Sequence, residues 1–156
     1  MASADGLGRV LNVIAAASGV AIPLTGGVSV TYVHIQGGTG TATLTMTQLD
    51  ANAANSIALG IGTDDFTTAG GPGKASDYYV GPDAGGTWTA KAATSAAVFT
   101  LGGATDDTGV VTVRAEQLAN DYVYAVGTAS AGTLVAIIHD LTVQRRPSNL
   151  KSSLVK

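Results

Sequence analysis

The stretch VSVTYVHIQGGTGTATLTMTQ, residues 28–48, indicates the fold class, because apolar side chains recur in it at every second position. This period is typical of half-buried β-strands, whose side chains point alternately to opposite faces. In the first half, one face carries Val28, Val30, Tyr32 and His34, and in the second half threonines alternate with Ala42, Leu44 and Met46. The GGTG at 37–40 supplies a flexible turn, so the stretch predicts a hairpin.

Similar strands are expected on both sides of this stretch. Further apolar runs, separated by Gly- and Asp-rich turns, include 78–80, 87–92, 96–101, 110–115, 122–127 and 133–145, and the loop TASAG predicts that the last two form a hairpin. No run has the period of a three-turn helix. Eight or nine short strands in this arrangement predict an all-β fold, an antiparallel β-sandwich or a barrel-like sheet with extended N- and C-terminal arms.

One local motif favours an immunoglobulin-like form of the sandwich. The segment LANDYVYAV, residues 118–126, resembles a tyrosine corner, in which a tyrosine hydroxyl donates a hydrogen bond to the backbone upstream. Tyr124 would be that tyrosine. The alternative is that Tyr122 and Tyr124 are ordinary aromatic residues of a strand.

The composition is unusual for a soluble domain. Charged residues make up 12% of the chain, which is about half the usual share, whereas glycine accounts for 21 residues. A surface of Thr, Gly, Ala and Ser loses little side-chain entropy on ordering and permits close contact with a neighbour, which favours assembly. A bias of the coding genome towards Ala, Gly and Thr is the alternative explanation.

Charge is unevenly distributed along the chain. Residues 1–144 carry eleven acidic side chains against four basic ones, a net charge of −7, and residues 145–156 carry four basic ones, +4. We therefore expect one sandwich domain over 1–144, including the N-terminal segment 1–24, followed by a basic arm over 145–156 that binds an acidic neighbour or stays in solvent. Four charges without interleaved aromatic residues make nucleic acid an unlikely partner.

The N-terminal apolar run does not have the features of a signal peptide. Residues 10–24 follow a segment with no net positive charge, and Asn12, Ser18 and Pro23 interrupt them. The run is also too short to cross a bilayer, so we expect a first strand there and no membrane association.

No catalytic constellation is recognisable in the sequence. His34 and His139 are the only histidines, and we expect each to be a packed, hydrogen-bonded side chain. Asp140 follows His139 directly and would point to the opposite face of a strand, so the two cannot act as base and orienting acid. The absence of cysteine excludes disulfides and thiolate chemistry. We therefore expect no enzymatic activity.

The sequence also predicts no cofactor or metal site. The pairs Asp64-Asp65 and Asp106-Asp107 lie in Gly/Thr-rich segments, but each offers fewer oxygen ligands than a Ca²⁺ loop needs, so turn formation explains them better.

An aromatic cluster marks one candidate binding site. Tyr78, Tyr79 and Trp88 flank a loop that contains Asp83, and Asp77 precedes them. Exposed aromatic rings beside polar groups can hold a sugar, whereas packing in the core or at an interface is the alternative role for these rings.

In overall character the chain resembles the small Gly/Thr/Ala-rich head-decoration and related virion proteins of tailed actinobacteriophages. The similarity lies in the β-rich body, the low charge, the absence of cysteine and the ending LVAIIHDLTVQRRPSNL at 134–150, followed by a short polar tail. The resemblance implies a sandwich or barrel, often trimeric, that binds the capsid lattice in many copies and stabilises the shell.

On this basis we expect a capsid decoration protein on the virion surface, made in the host cytoplasm. Its partners would be further copies of itself and the major capsid protein or another virion protein. Residues 7–24 and the arm, with Arg145, Arg146, Leu150 and Lys151, are the expected contacts. The alternatives are a tail component of the virion and a carbohydrate- or receptor-binding sandwich that uses Tyr78, Tyr79 and Trp88.

Overall fold

The all-β prediction is confirmed by a computed structural model of the chain. The structure describes residues 12–16, 18–25, 29–36, 40–59, 78–81, 87–91, 98–102, 108–119 and 121–139. Within these ranges the chain forms β-strands and one short 3₁₀ helix. The strands are β1 (Asn12–Ala15), β2 (Ala21–Pro23), β3 (Ser29–Ile35), β4 (Ala42–Asp50), β5 (Ser56–Ala58), β6 (Tyr78–Gly81), β7 (Thr89–Lys91), β8 (Val98–Leu101), β9 (Thr108–Arg114), β10 (Tyr122–Ala129) and β11 (Thr133–His139), and the 3₁₀ helix is Ala115–Gln117.

The strands form two antiparallel sheets that pack as a sandwich. The six-stranded sheet has the order β1-β11-β3-β9-β6-β7. The five-stranded sheet has the order β2-β10-β4, and two short strands share the remaining edge of β4. There β8 lies opposite residues 42–45 and β5 lies opposite residues 47–49.

The two predicted hairpins are wrong. β3 pairs with β9 and β11 in the six-stranded sheet, whereas β4 pairs with β10 in the other. β10 and β11 also lie in different sheets, so both connecting loops are arches that cross from one sheet to the other. The alternation of side chains identifies the face that a strand buries but not the strand with which it pairs, and a glycine-rich loop can span the ~10 Å between packed sheets.

The connectivity is that of a jelly roll. If β5, β6 and β7 are set aside, the two sheets have the orders β1-β11-β3-β9 and β2-β10-β4-β8. This is the strand order of the eight-stranded jelly roll, and β5 to β7 are an insertion between its fourth and fifth strands. It differs from the immunoglobulin-like sandwich that LANDYVYAV suggested, in which several consecutive strands pair within one sheet.

A tyrosine links the two sheets through the core. Tyr32 on β3 is fully buried, and its hydroxyl donates a hydrogen bond to the Ala125 carbonyl on β10 at 2.8 Å. Gly127 leaves room for the ring, because a Cβ at that position would lie 3.1 Å from the ring and from Leu134. Burial raises the pKa of Tyr32 far above its ordinary value, so the hydroxyl remains a donor.

Two further side chains support this arrangement. Gln48 on β4 is fully buried and accepts a hydrogen bond from the Ala119 amide at 2.8 Å, which holds the β9–β10 connection against β4. Tyr124 packs on the outer side of the five-stranded sheet against Ala21, Leu49 and Val126. It is therefore an aromatic residue of a strand, and the hydroxyl that reaches across the sandwich is that of Tyr32.

Replacing Tyr32 by phenylalanine should lower the free energy of unfolding by roughly 1–3 kcal/mol, because a buried hydrogen bond between the sheets is lost. Chemical denaturation of the full chain measures this change. Tyr79→Phe is the matched control, since Tyr79 is 43% exposed and its substitution should cost less than about 0.5 kcal/mol. Equal losses in the two variants would contradict the role given to Tyr32.

The arch between β10 and β11 predicts a second sensitive position. Gly132 has a φ of +87°, and a Cβ there would lie 2.2 Å from the Ile35 carbonyl oxygen. Gly132→Ala should therefore destabilise the protein more than Gly40→Ala. Gly40 also has a positive φ, +140°, but has nothing within 4 Å of such a Cβ. We expect a cost of roughly 1–3 kcal/mol at position 132, and equal melting temperatures for the two variants would contradict it.

Candidate interaction surface

The largest exposed apolar side chains of the described residues lie on one side of the molecule. They are Val13, Ile35, Tyr79 and Trp88, exposed by 52%, 41%, 43% and 50%. Val13 lies opposite Ile137, Ile35 opposite Thr133, and Tyr79 opposite Val110 in the six-stranded sheet. Paired residues share a face, and the alternate positions on these strands enter the core, so these three side chains point outward.

The side chains between them form a continuous apolar row. Ala15, Val135, Val33, Val110 and Tyr79 lie directly opposite one another across five strands. The three valines are half-buried, because each covers part of its neighbours. We call the outward side of this sheet the apolar face; its apolar members are Val13, Ala15, Val33, Ile35, Tyr79, Val110, Val135 and Ile137, with the ring of Trp88.

The apolar face carries almost no charge. Among its described outward positions, Arg114 at one end of β9 is the only Lys, Arg, Asp or Glu. Its guanidinium lies 3.5 Å from the Glu116 carboxylate, and both side chains are exposed. Depletion of charge with retention of aromatic residues is typical of the centre of a protein interface.

A polar cluster that the sequence did not predict lies near the same end. The Thr31 hydroxyl is 2.9 Å from the Thr112 hydroxyl and 2.9 Å from Nε2 of His139. In some enzymes a hydroxyl next to an imidazole is the nucleophile, and the imidazole is the base that activates it. This pair lies on the outward side of the six-stranded sheet, where Thr31 is on β3, Thr112 on β9 and His139 on β11. Hydrogen bonding between strands accounts for the cluster.

The other histidine, His34, is packed in the interior of the sandwich. His34 on β3 points into the sandwich, is fully buried, and has Nε2 2.7 Å from the Ala131 carbonyl in the β10–β11 arch. The expectation of packed, hydrogen-bonded histidines is confirmed for His34. For His139 the hydrogen bond is confirmed, but the ring is only partly buried on the apolar face.

The outer side of the five-stranded sheet is more polar along β4 than the apolar face. Its β4 strand presents Thr43, Thr45 and Thr47 outward, and Thr128 on β10 is exposed opposite Thr45. Hydroxyl side chains therefore cover this part of the sheet, and Tyr124 packs with Ala21, Leu49 and Val126 on another part of it. The exposed large apolar side chains lie on the apolar face, which is therefore the candidate interaction surface.

A shallow groove lies between two arches. It has a volume of about 350 Å³ and is lined by Ala15, Ala16, Ser18, Ala129, Gly132, Thr133 and Leu134. The Ser18 hydroxyl is occupied, because it donates to the Ala129 carbonyl and accepts from the Ala129 amide, both at 3.0 Å. The groove thus presents no activated serine.

The structure brings together part of the predicted aromatic site. Tyr79 lies on the apolar face, and the Trp88 ring covers Gly81, two residues further along β6. Tyr78 lies in β6 opposite Val111. The acidic members of the predicted cluster, Asp77 and Asp83, lie outside the described residues.

Other predicted sites cannot be placed on this surface. Arg145, Arg146, Leu150 and Lys151 lie outside the described residues, as do the acidic pairs at 64–65 and 106–107. Within the described ranges, no three His, Asp or Glu side chains are grouped so that they could hold a metal ion. The same part of the chain contains no helix long and apolar enough to cross a membrane.

Comparisons with protein-family models, with curated proteins and with solved structures find no match for this chain. Function is therefore inferred from the chemistry and geometry of the surface.

Proposed function

We propose that the protein is a virion structural protein, of the capsid decoration type, that binds neighbouring subunits through the apolar face. The observation that carries the proposal is the grouping of Val13, Ile35, Tyr79 and Trp88 on one almost uncharged sheet face. Such a face is unfavourable in water, and burial against a partner removes that cost.

The size of the face fits a weak contact between subunits. Six strands spaced ~4.8 Å apart, each contributing about five residues, cover on the order of 400–500 Å². Contact on both partners would bury roughly twice that area, which is below the size of standard stable interfaces and typical of weak contacts. A lattice compensates for weak individual contacts, because each protein is held by several neighbours at once.

The jelly-roll fold is compatible with a role in the capsid, but the same fold also occurs in proteins with other functions. Jelly rolls occur in viral capsid proteins and in lectins, so the architecture suits assembly and sugar binding alike. The low charge of the whole chain, 12% of residues, favours assembly, since a protein that must stay monomeric usually has a more highly charged surface.

The two terminal segments would extend the contact. Asn12 in β1 lies opposite Ile138 in β11, so the segments before residue 12 and after residue 139 start from neighbouring strands at one end of the sheet. We propose that the basic arm binds carboxylates of an adjacent copy or of the major capsid protein, with Arg145 and Arg146 as its principal contacts. A copy of the protein bound in this way would add contact area between subunits of the shell. It would thereby raise the free-energy barrier to local opening of the shell.

A tail component of the virion would use the same surface. The alternative function from another class, carbohydrate binding, is favoured by the specific geometry of Trp88 described in the next subsection.

Val13→Lys combined with Ile35→Lys should abolish self-association and reduce binding to undecorated phage shells by about tenfold or more, because two charges would be buried without partners. Light scattering gives the oligomeric state, and co-sedimentation gives shell binding. Thr128→Lys places a charge on the outer side of the five-stranded sheet and should leave both measurements unchanged. A monomeric wild-type protein that ignores shells would overturn the proposal.

The arm is tested separately in the full chain. Arg145→Ala combined with Arg146→Ala should weaken shell binding and reduce its sensitivity to salt, because two charge-assisted contacts are removed. Unchanged binding at low and high salt would mean that the arm makes no such contact.

A further inference from the structure

The single tryptophan of the chain is held flat against the backbone of β6. A Cβ built on Gly81 would lie 2.7 Å from Cε2, 2.8 Å from Cδ2 and 2.9 Å from Cζ2 of Trp88. Three nearly equal distances to atoms around the fused ring bond mean that the glycine lies under the face of the indole and not at its edge. The absence of a side chain at position 81 is what permits this contact.

The other face of the indole is open. Trp88 is 50% exposed although one side rests on Gly81, so the exposed area belongs largely to the opposite face and the rim. An isolated exposed tryptophan would rotate freely, whereas this ring is supported from below. It is therefore pre-organised as a flat platform.

A second aromatic ring and hydroxyl groups lie beside the platform. Tyr79 is on the same outward side of β6, two residues from Gly81 and roughly 7 Å away along the strand. Thr108 on β9 lies directly opposite Gly81 and points to the same face. We call Trp88, Tyr79 and Thr108 the aromatic shelf.

We propose that the aromatic shelf binds a neutral oligosaccharide. The C–H face of a pyranose ring is apolar and weakly positive, which complements the negative face of an indole, and the sugar hydroxyls at its rim can bond to the Tyr79 and Thr108 hydroxyls. Residues 1–144 carry a net charge of −7, which disfavours a sialylated or sulfated sugar relative to a neutral one. A flat aromatic platform also matches the flat face of a sugar ring.

This site is separable from the proposed assembly contact. The shelf belongs to the inserted β6–β7 hairpin at one edge of the six-stranded sheet, whereas β1, with Val13, forms the opposite edge. Contact between subunits over β1 and β11, which carry Val13, Val135 and Ile137, would leave the shelf accessible, whereas contact over the whole apolar face would compete with the sugar for Tyr79 and Trp88. The inference therefore goes beyond the proposed function and does not require it.

The experiment uses the only tryptophan as its own reporter, because all tryptophan emission of the full chain comes from Trp88. The protein is titrated to millimolar concentration with linear oligosaccharides of glucose, galactose and mannose, and with sialylated and sulfated oligosaccharides for comparison. We expect a saturable change in emission with at least one neutral series. The affinity measured by calorimetry should fall about tenfold or more in Trp88→Ala and less in Trp88→Phe, which retains an aromatic face.

Gly81→Ala is the sharper variant, since it keeps the tryptophan but places a methyl group where the ring now lies. It should shift the emission to the red and weaken binding, whereas Val13→Lys, at the opposite edge of the sheet, should bind sugar like the wild type. No saturable response to any neutral sugar, or equal affinity in Trp88→Ala, overturns the proposal. Loss of shell binding in Trp88→Ala without any sugar binding by the wild type would instead identify Trp88 as a protein contact.

Discussion

One buried side chain joins the two sheets by a hydrogen bond across the core. Tyr32 extends from β3 across the core, and the Ala125 carbonyl on β10 accepts its hydroxyl proton. A phenol that is fully buried has no access to water, so any displacement of one sheet relative to the other would break this bond. Gly127 completes the arrangement, because a side chain there would crowd the ring. The two outer faces are thus fixed relative to one another by a contact in the interior.

The sequence predicted the strands well and their partners poorly. The alternation around Tyr32 identified correctly which side chains of β3 enter the core. It could not identify β11 and β9 as the neighbours of β3, because a period of two is the same for a hairpin and for an arch. The choice between them is made by packing between residues that are distant in the chain, as in the contact of Gly132 with the Ile35 carbonyl. The jelly-roll order follows from such contacts and is absent from any local pattern.

The candidate surface was predicted only in part for the same reason. Tyr79 and Trp88 were identified as a possible site from their exposed-loop setting, but the glycine that supports the indole could be recognised only once β6 and β7 were paired. The aliphatic part of the apolar face was missed, since Val33 and Val135 look like core residues in a sequence with apolar side chains on both faces of its strands. The contact of Thr31 with His139 joins residues 108 positions apart, and nothing in the neighbourhood of either predicts it.

The position of β11 between β1 and β3 affects how the chain folds during its synthesis on the ribosome. β1 and β3 have no direct pairing with each other, so the six-stranded sheet stays divided until residues 133–139 have left the exit tunnel. Pairings of such high sequence separation form slowly, and edges left open meanwhile invite contact with other nascent chains. The six-stranded sheet is therefore completed only when β11, the last described strand, enters between β1 and β3.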